Sequence, residues 1–200
     1  MPTLPLQHRT ELVTAPSITP VSLIEVKAHL RVEHNDDDAL IARLISTAVT
    51  YVDVKGILGK AMITQTWGEW FAPNPGTVTL GLGPVQSVSA IKYYDTDNAL
   101  QTATLSNFYV LGTGGRTTIK PKAGYSWPTT FTRDDAIKVE YVIGYGDNQG
   151  DVPETVRHGL MLLIAHWYEN RENELMGTIS KNLPYGFEAL MDYERGSWYG

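Results

Sequence analysis

An α+β fold is predicted: a helical core of about four helices, with an antiparallel β barrel or sandwich-like insertion between the second and third main helices. Three observations predict it. Amphipathic helical ladders with capping signals occupy the first quarter of the chain. Short β-branched and aromatic segments, separated by Pro, Gly, Asn and Asp, fill residues 62–145. Helical periodicity then returns behind a second capping signal at Asp151. The expected organisation is an extended arm at 1–20, a helical core at 21–60 and 151–195, a β insertion at 61–150 and a tail at 196–200.

The arm carries four prolines and no helical period, and only Glu11 to Thr14 suggests an edge strand. Ser22-Leu23-Ile24-Glu25 is a capping box, with Val21 and Val26 at the staple positions. It predicts a helix from Leu23 to about Arg31 with Leu23, Val26 and Leu30 inward. A second helix is expected after Asn35. Asp36, Asp37 and Asp38 would lie in its first turn against the positive end of the macrodipole, and Leu40, Ile41, Leu44, Ile45, Ala48, Val49 and Val52 form its apolar ladder, ending around Gly56 to Gly59.

In the β region the expected strands are 63–71, 77–80, 88–94, 108–111, 117–120 and 136–143, with turns at Asp95 to Asn98 and Gly112 to Gly115. Asp151-Val152-Pro153-Glu154 reads as the capping box of a third helix running to about Glu174. Its segment from Leu160 to Ala165 is apolar on every face and predicts a buried centre, with Trp167 continuing the face of Leu160 and Ile164. A last helix over about 185–194 places Phe187, Leu190 and Met191 on one side.

Composition narrows the function. The chain has 200 residues, no cysteine and a formal net charge of -6. That excludes disulfides and thiolate metal sites, and it argues against a protein whose main work is gripping duplex phosphate. The first ten residues do not read as a signal peptide, and the longest apolar run, Gly159 to Ala165, is far short of the roughly 20 residues of a membrane span. A soluble protein with no membrane partner is expected.

No catalytic, cofactor or metal residue is predicted. Three contiguous aspartates lack the alternating spacing of a calcium loop. Gly112 to Gly115 is flanked by strands, not by the strand and helix of a phosphate cradle. His158 and His166 stand eight residues apart, beyond the i, i+4 pairing of a zinc helix. His29 and His34 flank a helix end. Arg116, Lys120, Lys122, Arg133 and Lys138, with Tyr125 and Trp127 among them, would suit a strand of nucleic acid, but Asp134, Asp135 and Glu140 interleave and favour a mixed-charge sheet surface. Trp67, Trp70 and Phe71 read as β core. Tyr93 and Tyr94 alternate in direction, which offers at least one of them to a subunit interface.

Taken together, Pro20 to Val32 (PVSLIEVKAHLRV), the following Asp37 to Ile41 (DDALI), Ile63 to Trp67 (ITQTW), Val152 to Arg157 (VPETVR), Ala165 to Glu172 (AHWYENRE) and Leu183 to Gly186 (LPYG) resemble the phage head-tail connector (adaptor) family in content and order. Lys55 to Lys60 departs from the acidic, Thr-Gly-Arg-like run expected there, and Pro73 to Gly150 matches only as a β insertion of the right kind and place. The resemblance implies a non-enzymatic protein of the virion's head-tail interface, assembled in the host cytoplasm and needing no cofactor. It implies a dodecameric ring of copies of the chain, joined head to tail, with a portal on one side and a neck or tail-completion protein on the other. Genomic DNA would pass the lumen without sequence-specific contact. In the resembling connectors the C-terminal segment reaches into the portal, which makes Trp198 and Tyr199 the expected anchors. The alternatives are a carbohydrate-binding or DNA-binding module, or an enzyme, built on the β insertion, with Trp127 and Tyr125 as a sugar platform.

Overall fold

The computed structural model describes residues 9–170 and 184–196. They fall into two compact units, one of Met1–Pro16 with Thr64–Gly144 and one of Ser17–Ile63 with Tyr145–Gly200. The fold is α+β, with antiparallel sheets in the first unit and, among the described residues, four α-helices in the second.

The helical unit begins as its capping box dictates. Helix α1 (Leu23–Leu30) has Ser22 at its N-cap: the Glu25 N–H donates to Ser22 Oγ at 3.2 Å, and the Ser22 N–H donates to Glu25 Oε2 at 2.8 Å. Arg31 ends the helix in the left-handed region at φ 59, where its N–H still reaches the carbonyls of Lys27 and Ala28. Helix α2 (Asp38–Val52) buries Ile41, Ile45, Ala48 and Val52, as its ladder requires. It starts later than its aspartates suggest. Asp37 is the N-cap without a side-chain cap bond, so only Asp38 lies in the first turn. The helix also stops at Val52, because the Ile57 and Leu58 N–H groups return to the carbonyls of Tyr51 and Val52 and fold 53–58 over the helix end. Gly56 makes this return possible, since a Cβ there would stand 2.0 Å from the Tyr51 carbonyl oxygen.

Helix α3 (Glu154–Glu169) does not use the expected capping box. Asp151 instead closes the box of a 3-10 turn (Gln149–Asp151) opened by Asn148, and Pro153 takes the N-cap of the helix. Proline sets the backbone for a helix start while offering no N–H to lose. Val156, Gly159, Leu160, Leu163 and Ile164 are buried, but Met161, Leu162 and Ala165 are only half-buried. The run that is apolar on every face therefore keeps one side partly open. Its expected last residues, 171–174, lie outside the described set. Helix α4 (Tyr185–Gly196) buries Phe187 and Met191 and half-buries Leu190, against α3. Gly159 faces α4, where a Cβ would meet Met191 Cε, the flexible end of that side chain, at 2.6 Å and Phe187 and Leu190 at ordinary contact distances.

Arg157 ties α3 to α1 through Glu25 and the Pro20 carbonyl, the latter at 3.2 Å, and Lys27 ties α1 to the start of α2 through Asp38 at 2.6 Å.

Among the described residues the β unit holds eight strands: β1 (Thr10–Thr14), β2 (Gln65–Phe71), β3 (Val78–Thr79), β4 (Val85–Tyr94), β5 (Leu100–Ala103), β6 (Phe108–Leu111), β7 (Thr118–Pro121) and β8 (Ile137–Ile143). One sheet runs β1-β2-β8-β4-β5 and the other β3-β7-β6, all pairs antiparallel, and neither closes on itself. The central strands β2 and β8 are buried on both faces, in keeping with a layered, sandwich-like unit rather than a closed barrel.

Strand β1 forms at the sheet edge, within the segment read as an arm. Strand β5 was not expected: all but Ala103 are exposed, and the strand exists because the Asp95 carboxylate accepts from the N–H groups of Asp97 and Ala99 and turns the chain back along β4. The two register shifts between β4 and β8 lie before Ala90, so Tyr93 and Tyr94 follow regular pairing on opposite faces; both are half-buried, Tyr94 beneath Trp70 and Arg133.

Candidate functional site: assembly surfaces

The charged groups inside the β unit are the first place to look for chemistry. Lys138 pairs with Glu11 of β1 and with Glu140, the latter at 3.0 Å, and Lys92 reaches Glu140 at 2.8 Å. The hydrogen bond from Lys138 holds the Glu11 carboxyl below its ordinary range. Burial would raise Glu140, but hydrogen bonds from Lys92 and Lys138 outweigh it and hold it low. Glu69 accepts from the Tyr141 hydroxyl at 2.9 Å and from the Gly81 N–H at 3.0 Å. Burial drives Tyr141 far above its ordinary value, and the adjacent Glu69 carboxylate adds to it. These groups join neighbouring strands in pairs that satisfy one another, which is how buried charge is held in a sheet.

In the helical unit the three aspartates diverge. Asp38 takes Lys27, Asp36 lies 3.9 Å from His34, and Asp37 accepts from the Tyr168 hydroxyl at 2.5 Å. No group of three or more metal-capable side chains gathers among the described residues. His158 meets His29 edge to face at 6.2 Å between ring centres, while His166 bonds to Asn170 on its own helix. Lys60 is buried, its Nζ donates to the Glu194 carbonyl, and burial lowers its pKa.

The glycine loop Gly112 to Gly115 is the β6–β7 turn. Gly112 sits at φ 80 with the Arg116 carbonyl oxygen 2.6 Å from where a Cβ would be, and the Thr117 hydroxyl donates to the Gly112 carbonyl at 2.9 Å. No helix follows it, so it presents no phosphate cradle.

The aromatic platform is overturned by burial. Trp127 is 5% exposed, packs on Phe108 at 4.8 Å and donates its indole N–H to the Gly76 carbonyl at 2.7 Å, whereas Tyr125 is 56% exposed. A buried indole cannot stack on a sugar. Tyr94 is likewise closed, between Trp70 at 6.0 Å and the Arg133 guanidinium at 3.8 Å. The basic set divides: Arg133 forks onto Asp135 and Lys138 is buried in its ion pairs, while Arg116, Lys120 and Lys122 stay with the small sheet.

What the helical unit presents instead is an open groove of about 710 Å³ along the end of α2, lined by Ser46, Thr47, Thr50, Tyr51, Lys55, Gly56 and Ile57. It is continued by a recess of about 280 Å³ at α4, where Tyr51 and Ile57 meet Phe187, Glu188, Met191, Asp192 and Arg195. The Thr47 and Thr50 hydroxyls donate to the carbonyls four residues back, each at 2.9 Å, so they are turned onto the helix. Trp167 lies edge-on to Tyr51 at 6.0 Å and is half-buried. Such a surface suits contact with another macromolecule. It could not be read from sequence, because Gly56 and Ile57 reach Tyr51 only through the chain return after α2. The expected anchors Trp198 and Tyr199 lie outside the described residues.

No curated protein matches the chain. The fold is similar to a chain from the neck of an empty GTA particle computed with C6 symmetry, with a TM-score of 0.75 and 21% identity over 94% of this chain and 95% of the other. It is similar, too, to a chain from the virion of a native gene transfer agent (GTA) particle, at TM-score 0.73 and 21% identity over 93% and 94%. A third, from the neck of a native GTA particle computed with C12 symmetry, gives 0.68 and 19% over 94% of each chain. The model of the family described as "HCP: Head completion protein" matches residues 20–180, most of the length, so the chain belongs to the head completion protein family.

Proposed function

We propose that this protein works by geometry rather than catalysis, as one subunit of a closed ring that seats on a portal. The chain is a structural head-tail connector of a phage-like particle, located at the head-tail interface of the virion. The family match over residues 20–180 carries this reading. The C6 and C12 symmetries of the similar neck structures support a ring, and a dodecamer is the form proposed. In such a ring each subunit offers two different surfaces, one to each neighbour, and the contact closes without free ends.

The portal is the proposed partner on the head side, a neck or tail-completion protein the partner on the other, and the genome passes the lumen without sequence-specific contact. The charge distribution supports passage rather than grip: the sequence of the helical unit carries 15 acidic and 9 basic residues, and that of the β unit 7 of each. Trp198 and Tyr199 remain the proposed anchors on the portal, since Trp and Tyr in a short terminal segment are typical pocket-filling residues. Imaging the purified protein mixed with its cognate portal tests the reading. A closed ring on the portal is the expected result, and a chain that stays monomeric and never joins the neck would sink it.

A further inference from the structure

The charge of this acidic chain is unevenly spread. Residues 99–133 contain no Asp or Glu, yet they carry Arg116, Lys120, Lys122 and Arg133. The same stretch contributes Leu100, Tyr109, Leu111, Tyr125 and Phe131 to the exposed large hydrophobic residues. The register of β6 and β7 concentrates part of this set. Phe108 and Ile119 point inward and are buried, so Tyr109 and Leu111, each 45% exposed, share the outer face. Lys120 is directly across from Tyr109, and the Lys122 ammonium stands 5.4 Å over the Tyr109 ring. The outer face of the small sheet is thus cationic, aromatic and apolar together.

Helix α4 presents the opposite character. Tyr185, Glu188, Ala189, Asp192 and Tyr193 are exposed and follow one another at three- and four-residue steps, which puts them on one stripe of the helix. Tyr185 is 86% and Tyr193 70% exposed. Asp192 pairs with Arg195 at the edge of the stripe, leaving Glu188 as its net charge.

We propose that the outer face of the small sheet is one half of the subunit contact, and that it receives the α4 stripe of the next copy. This rests on the ring reading above. Both partners are in hand on one chain, one in each unit, which makes the contact a heterologous one. Complementary charge sets register between them, while the tyrosines and Leu111 supply apolar area. A phosphate backbone would match the lysines alone and leave Leu111 and the tyrosine stripe unexplained.

Two double variants test the contact: Lys120→Glu with Lys122→Glu, and Glu188→Lys with Asp192→Lys. Lys120, Glu188 and Asp192 are exposed and Lys122 is half-buried over Tyr109, so melting temperatures should stay close to that of the parent protein. Ring yield on the cognate portal, counted by imaging, should fall about tenfold or more for either variant, because like charges then face each other. An equimolar mixture of the two should restore rings in which the variants alternate, since the native sheet face of one meets the native stripe of the other and the two reversed surfaces match as well. All four changes in one chain should restore rings. If the parent rings and either double variant rings equally well, the contact lies elsewhere and this inference falls while the ring reading stands. If the lysine variant loses binding to a duplex oligonucleotide yet still rings, the face is a phosphate surface and the inference is overturned. A parent chain that forms no ring removes both.

Discussion

At the scale of single residues, the capping serine shows how directly local chemistry acts here. Ser22 satisfies one orphan N–H of α1 and positions Glu25, which also receives Arg157 from α3. Hydrogen bonds from the Ser22 hydroxyl and N–H hold the Glu25 carboxyl below its ordinary range. Ser22→Ala should lower stability by about 0.5 to 2 kcal/mol in urea denaturation. Ionisation gives a second prediction. Burial pushes Tyr145 up to about 12, with the Glu194 carboxylate adding to it, and pushes Tyr141 up as well. A phenol whose folded pKa exceeds its unfolded value stabilises fully below the unfolded pKa, 10.0, and that contribution is lost as pH rises through the folded value. Stability measured between pH 10 and about 12 should fall steadily. The acid limb has the opposite sign: Glu11, Glu25, Glu140 and Asp135 are all held low, so their contribution is lost as pH falls below the ordinary carboxylate range.

At the scale of elements, two tryptophans are buried to degrees their sequence neighbourhoods do not reveal. Trp127 lies in a stretch of turn residues and reads as available for a ligand, yet it is buried on Phe108 with its N–H bonded to Gly76. Trp167 continues the face of the most apolar helix and reads as core; it does pack against the helical core, but half-buried and edge-on to Tyr51. Trp127→Ala should therefore cost about 3 to 5 kcal/mol, and Trp167→Ala about 1 to 3 kcal/mol, when both are compared by chemical denaturation. Equal losses would show that Trp167 is buried in solution. The elements with strong periodicity were legible: α1, the body of α2, α4 and most strands follow from spacing alone. Strand β5 was not, because LQTA has no alternation and forms only where the Asp95 turn delivers it to β4. The Asp151 capping box misled for a related reason, since the same Asp side chain fits the N3 position of a 3-10 turn as well as an N-cap.

At the scale of the whole molecule, the tail supplies the remaining prediction. Deleting residues 196–200 should leave the melting temperature nearly unchanged and weaken attachment to the portal in a pull-down. A melted domain, or undiminished attachment, would remove Trp198 and Tyr199 from the anchor role.

What the sequence by itself determined is the class of the fold, the order of its parts and the family. Each rests on short-range signals: apolar spacing, capping pairs and turn residues act over a few positions and need no distant partner. What only the tertiary structure decided is which residues face outward together. The 53–58 return places Ile57 beside Tyr51, and the β6–β7 register places Lys120 opposite Tyr109. Side-chain exposure depends on what the chain brings over each face from far along its length, and that information is set by packing rather than by neighbours in sequence.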